Sequence, residues 1–86
     1  MNDDYILYNI KEIDLHGLNR YEAKITIDAF IHEEYNLKSK YVGIIHGKGS
    51  GILKDTTSKV LKENKYVKDY KLDIFNQGRT IVQLKK

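Results

Sequence analysis

Apolar positions change their spacing along this chain, and each change marks a secondary-structure element. Ile13-Asp14-Leu15-His16 alternates apolar with polar, the period of a strand with one face buried, and Gly17 ends it as a residue free to take positive φ at a turn. Asn19-Arg20-Tyr21-Glu22 has the form of a capping box, in which Asn19 accepts from a helical amide while Glu22 reaches back to the Asn19 N–H. Ala23, Ile27, Phe30 and Ile31 follow at three- and four-residue steps, so a helix is expected to run to about Tyr35. Tyr41 to Ile45 is continuously apolar and suits an inner strand. After a glycine-rich stretch, Leu53, Thr57, Val60 and Leu61 mark a second helix ending near Asn64.

Val67 to Ile74 alternates again, with Tyr70, Leu72 and Ile74 on one face and Asp69, Lys71 and Asp73 on the other. Asn76-Gln77-Gly78 turns the chain, and Thr80 to Leu84 closes it as a last strand. Ile6-Leu7-Tyr8 reads as a short extra strand or an arm laid on the sheet, so residues 1–10 are set apart from a single domain over 11–86. The order β-α-β-α-β-β places the chain in the α/β class, as a two-layer α+β sandwich. Two βα crossovers favour parallel pairing of the first strands, and the final short turn makes a hairpin. Two helices cover one face of such a sheet. If Ile13 and Leu15 point into the helix layer, Asp14 and His16 point to the open face, near the strand end where α/β sheets place their sites.

Composition narrows the function classes. With 86 residues, 41% hydrophobic and 31% charged, the chain has room for one globular domain. It has no cysteine, which excludes disulfides and thiolate metal sites. The start Met1-Asn2-Asp3-Asp4 is acidic where a signal peptide is basic, and no stretch reaches the length of a membrane span, so the cytoplasm is expected and no membrane partner. A formal net charge of +3 and a pI near 9.0 suit a polyanionic partner without requiring one.

Two stretches carry chemistry beyond what folding needs. In Asp14-Leu15-His16-Gly17 a carboxylate beside an imidazole can fix the tautomer of the ring, and either can ligate a metal; two ordinary polar residues on a solvated strand face are the bland alternative. In His46-Gly47-Lys48-Gly49-Ser50-Gly51, between strand and helix, glycines admit a ligand close to the backbone, the helix start offers free N–H groups, and Lys48 adds a charge. Together these form a phosphate cradle. The spacing is neither that of a Walker A loop nor that of a dinucleotide fingerprint. Arg79 is a further candidate for a phosphate, against the common case of a solvated hairpin arginine. His32 falls on a helix away from both motifs.

Ile-Asp-Leu-His-Gly at 13 to 17 resembles the "LDLHG" signature of Smr (small MutS-related) domains, and Ile44 to Gly51 resembles their "HGxGxG" signature. The separation of the two, with one helix between, agrees, as does Gly78-x-Thr80-Ile81-Val82-x-Leu84; Phe75-Asn76 stands where the family often has a glycine pair. The resemblance implies a mixed four-stranded sheet with helices on one face, like the C-terminal domain of translation initiation factor 3. It also implies nucleic-acid binding, nicking endonuclease activity on DNA or RNA in many members, and, for the MutS2 type, ties to recombination control or rescue of collided ribosomes.

On this reading Asp14 holds a metal or orients a histidine, and His16 and His46 are candidates for acid/base work. Gly47, Lys48, Gly49, Ser50 and Gly51, with Arg79, hold the phosphate. A divalent ion, Mg²⁺ or Mn²⁺, held by Asp14 is the expected cofactor, and metal-assisted attack by water is preferred over a metal-free pair of histidines acting on an RNA 2′-hydroxyl. The competing class is a non-catalytic module docking on nucleic acid or the ribosome.

Overall fold

A computed structural model describes residues 9–86, so the expected arm at Ile6-Leu7-Tyr8 lies outside the described residues. The elements are β1 (Lys11–Asp14), α1 (Arg20–Asn36), β2 (Tyr41–Ile45), α2 (Ile52–Glu63), β3 (Val67–Leu72) and β4 (Arg79–Leu84). The capping box forms as expected. The Glu22 N–H donates to Asn19 Oδ1 at 2.8 Å and the Asn19 N–H to Glu22 Oε1 at 3.0 Å, satisfying two amides that the helix start would otherwise leave unpaired.

The four strands form one mixed sheet in the order β1-β2-β4-β3. β1 runs parallel to β2, as a βα crossover requires, and β4 is antiparallel to both β2 and β3. The second crossover therefore also returns β3 parallel to β2, but leaves a gap of one strand that β4 fills through the hairpin. Both helices lie on one face. Ala23, Ile27, Phe30 and Ile31 of α1 and Val60 and Leu61 of α2 pack on Leu15, Val42, Ile44, Val67, Val82 and Leu84. Burying a side chain of this kind stabilises the fold by roughly 1.5–3 kcal/mol. Thr57 enters the same layer because its Oγ1 donates to the Leu53 carbonyl at 2.8 Å, so no hydroxyl is left unpaired.

The other face is not bare. Alternation along β2 and β4 places Tyr41, Gly43 and Ile81 there, and all three are buried. Arg79 crosses this face, its NH1 donating to Glu12 Oε2 at 2.6 Å and its Nε and NH2 to Asp73 Oδ2 at 2.9 and 2.6 Å. Gly43 leaves the room: a Cβ there would stand 3.2 Å from Glu12 Cγ and 3.4 Å from Arg79 Cδ.

Two strand boundaries differ from the sequence expectation. β1 ends at Asp14, and His16 lies in the turn beyond it. β3 ends at Leu72, because Asp73 turns inward to meet Arg79 and the Phe75 N–H (2.9 Å). Ile74, expected on the core row with Tyr70 and Leu72, is instead 72% exposed, and its neighbour Phe75 is 84% exposed.

Candidate nucleic-acid interface

The parallel pairing of β1 with β2 brings the ends of both strands to the same edge of the sheet, and with them both sequence motifs. After β1, the Leu15 N–H donates to the Ile45 carbonyl at 2.8 Å and the His16 N–H folds back onto Asp14 Oδ1 at 2.9 Å. Asp14 thus orients the backbone of His16, and Gly17 (φ 81°) completes the turn. Both Asp14 and His16 are exposed.

After β2, Gly47 takes φ 82° and Gly51 φ 87°, the left-handed region that side chains with a Cβ avoid. Gly51 caps α2 without a side-chain hydrogen bond, and the nearest substitute, Ser50 Oγ, is 3.5 Å from the Ile52 N–H. The first-turn amides of α2 therefore keep their donors free for an external acceptor at the positive end of the helix dipole.

A depression of about 410 Å³ lies between these two turns. Asp14, His16, Ile45, His46, Gly47, Gly49, Ser50, Gly51 and Leu53 line it. Residues some thirty positions apart in sequence thus share one wall-and-floor arrangement: a carboxylate and an imidazole on one side, a glycine backbone and a helix N-terminus on the other.

Three sequence candidates stand differently from expectation. His46 is buried, and its ring has two partners: Nδ1 lies 3.0 Å from the Gly47 carbonyl and Nε2 2.9 Å from Thr80 Oγ1. A carbonyl only accepts, so Nδ1 donates to Gly47, and Nε2 shares its hydrogen bond with the Thr80 hydroxyl. With both nitrogens engaged, His46 fixes the glycine loop and has no nitrogen free for a substrate proton. Lys48 is exposed on the loop but does not line the depression. Arg79, expected to grip a phosphate, spends its guanidinium on Glu12 and Asp73 instead.

The residues that hold the loop are less visible in the sequence. The Gly78 carbonyl accepts from the N–H groups of both His46 (2.8 Å) and Gly47 (2.9 Å), and a Cβ on Gly78 would come within 3.3 Å of Gly47 Cα. Asn76 Oδ1 in turn accepts from the Gly78 N–H at 3.0 Å. The Gly78-x-Thr80 spacing is the only sequence signal for this clamp, and it does not name the loop as its partner.

Among the described residues the donor set offers no ready-made cage of protein ligands for a metal ion. Among the described residues no group of three or more His, Cys, Asp or Glu side chains stands close enough to hold one. Asp14 has one oxygen committed to the His16 amide, and both ring nitrogens of His46 are occupied. Nor, among the described residues, is any helix long and apolar enough to cross a membrane.

Comparison with known proteins places this arrangement among relatives. Residues 13–85 match the family model described as Smr domain. The chain is 40% identical over 78 residues to endonuclease MutS2 of Clostridium acetobutylicum, covering 87% of this chain and 10% of the relative. It is 40% identical over 77 residues to endonuclease MutS2 of Clostridium tetani, covering 86% of this chain and 10% of the relative. The chain thus spans about a tenth of the length of the curated relatives it matches. The crystal structure of the Smr domain of Thermus thermophilus MutS2 superposes with a TM-score of 0.86 at 30% identity, covering 90% of this chain and 100% of that one. YdaL, a stand-alone small MutS-related protein from Escherichia coli, shares the fold with a TM-score of 0.82 at 24% identity, over 87% of this chain and 64% of that one.

Proposed function

Because the chain belongs to the Smr domain family, we propose that it binds nucleic acid through a backbone phosphate seated between its two signature turns, and that it cleaves the phosphodiester there. The observation that carries this reading is the convergence of Asp14, His16 and the glycine loop on one depression. A phosphate in that depression meets the amides of residues 48–51 and the N-terminus of α2, while the Gly47 amide stays on the Gly78 carbonyl and holds the loop in place. Lys48, on the loop outside the lining, attracts the polyanion without fixing it. His16 is the exposed imidazole at the depression and takes the proton transfer, with Asp14 holding its backbone in place and the Asp14 charge supporting the imidazolium that forms. His46 positions the loop, and no step is assigned to a metal ion.

A second reading, a docking module that binds nucleic acid or ribosomal RNA without cutting it, is favoured by one observation: the depression offers a single free imidazole, where a metal-free acid/base pair needs two. Supercoiled DNA and structured RNA incubated with the 86-residue chain, with and without chelator, separate the two readings. Cleavage in either substrate supports the first, and tight binding with intact substrate supports the second. Chelator-sensitive cleavage would overturn the metal-free account of the site. Binding itself is expected to be indifferent to sequence and to weaken steeply with salt, since its contacts are to phosphate. Lys48→Ala is expected to lower affinity evenly across sequences, measured by fluorescence anisotropy; a changed sequence preference would show that the loop reads bases.

A further inference from the structure

At the end of the sheet opposite the glycine loop, a groove of about 800 Å³ opens between the α1–β2 turn, the start of β3 and the end of β4. Lys38, Lys40, Lys68, Lys85 and Lys86 line it, five of the fifteen cationic residues of the chain, and among the described residues no acidic one does. Among the described residues no ion pair engages Lys38, Lys68, Lys85 or Lys86.

Two of these lysines occupy irregular backbone positions. Lys38 has φ 64°. It closes α1 in a Schellman motif: its N–H donates to the Tyr35 carbonyl and the Ser39 N–H to the Glu34 carbonyl, both at 3.0 Å. Glycine is the usual residue at that position, because a Cβ is crowded there. Lys68 is the extra residue of a β-bulge, since Val67 stands opposite Leu84 while Asp69 stands opposite Gln83. Bulges re-aim a side chain, and this one puts Lys68 in the groove while returning Val67 to the core. Offsetting the C-terminal dipole of α1, about half a negative charge, calls for one lysine and not five.

We propose that this groove is a second phosphate-backbone site, so that a nucleic acid held at the glycine loop runs the length of β2 and is gripped again at the lysines. The proposal rests on the phosphate reading of the loop. Lys40 and Gly47 bracket β2 and are separated by roughly 23 Å at about 3.3 Å per residue. That span matches about seven steps of a duplex strand at roughly 3.4 Å each, within a molecule 30 Å long.

The test measures anisotropy of labelled duplexes across a salt series with the full 86-residue chain. It compares the wild type, Lys48→Ala, and the triple variant Lys38→Gly, Lys68→Gln, Lys85→Gln. The triple variant is expected to flatten the slope of log K against log salt by roughly 0.9 for each phosphate it no longer neutralises, and to have no such effect on duplexes shorter than about seven base pairs. Lys38→Gly alone is expected to raise the thermal midpoint by a few degrees, roughly 2–8 °C, which separates weaker binding from unfolding. An unchanged slope in the triple variant, with Lys48→Ala still weakening binding, overturns the groove and leaves the loop standing. A flattened slope with Lys48→Ala neutral supports the groove and removes only the attraction assigned to Lys48. Polyglutamate bound as tightly as duplex, and released equally by the triple variant, would mean an acidic protein partner and would overturn the proposal.

Discussion

Asp14→Asn and His16→Ala are each expected to lower the rate of phosphodiester cleavage by roughly 10²–10⁴, the loss that follows removal of an acid/base participant or the charge that supports it. The two variants probe different atoms. An asparagine at 14 keeps a side-chain carbonyl that can accept the His16 N–H now bonded to Asp14 Oδ1 at 2.9 Å, so the turn survives and only the charge is removed. An alanine at 16 keeps the same main-chain N–H and removes only the ring. Both variants should therefore melt at the wild-type temperature, as both side chains are exposed and neither belongs to the core. Initial rates of nicking and a thermal melt on each variant check the prediction. Wild-type rates from Asp14→Asn with an unchanged midpoint would reduce Asp14 to a turn-former.

The second large effect concerns stability. Arg79→Ala is expected to destabilise the domain by about 2–3 kcal/mol, since it removes charge-assisted bonds to two carboxylates and leaves the buried Asp73 without its cation. For a domain of this size that lowers the thermal midpoint by roughly 10–20 °C. The same network gives the stability an acid limb. Burial alone would raise the Asp73 carboxyl, but the Phe75 amide and the Arg79 guanidinium outweigh it and hold the group below its ordinary value. Between that lowered value and the unfolded value of about 3.9, the unfolded chain binds more protons than the folded one, so stability rises with pH there. The contribution of Asp73 is complete above about pH 4 and drains away as pH falls through its folded pKa. Melting curves from about pH 2 to 7 should show a steeper acid limb in the wild type than in Arg79→Ala. Equal midpoints for the two proteins at neutral pH would make Arg79 free, and return it to the candidates for binding phosphate.

Local signals in the sequence carry most of the fold. Asn19 and Glu22 declare the start of α1 because a capping box is a contact between residues three apart. The strand and helix periods report burial directly, which is why the rows Val42-Ile44 and Val82-Leu84 are legible. The differences arise where a long-range contact overrides the local pattern. Ile74 alternates correctly with Leu72, yet Asp73 is captured by Arg79 and the strand stops. His46 shows its chemistry in the sequence but not its neighbours: Thr80 lies 34 positions away, and only the antiparallel pairing of β2 with β4 brings it to the ring. Likewise Glu12 and Arg79, 67 positions apart, meet across Gly43 through the sheet alone. The motifs locate the site, and the topology decides which of their side chains face a ligand.

That a backbone phosphate sits in the glycine loop is tested most directly by following the backbone amide resonances of the ¹⁵N-labelled chain as a short oligonucleotide is added. The amides of Gly49, Ser50 and Gly51 and those of the first turn of α2 are expected to shift first and furthest, with His16 beside them and Lys48→Ala reducing the effect. Shifts confined to the face crossed by Arg79, with the amides of residues 48–54 unmoved at saturation, would contradict a phosphate in the loop.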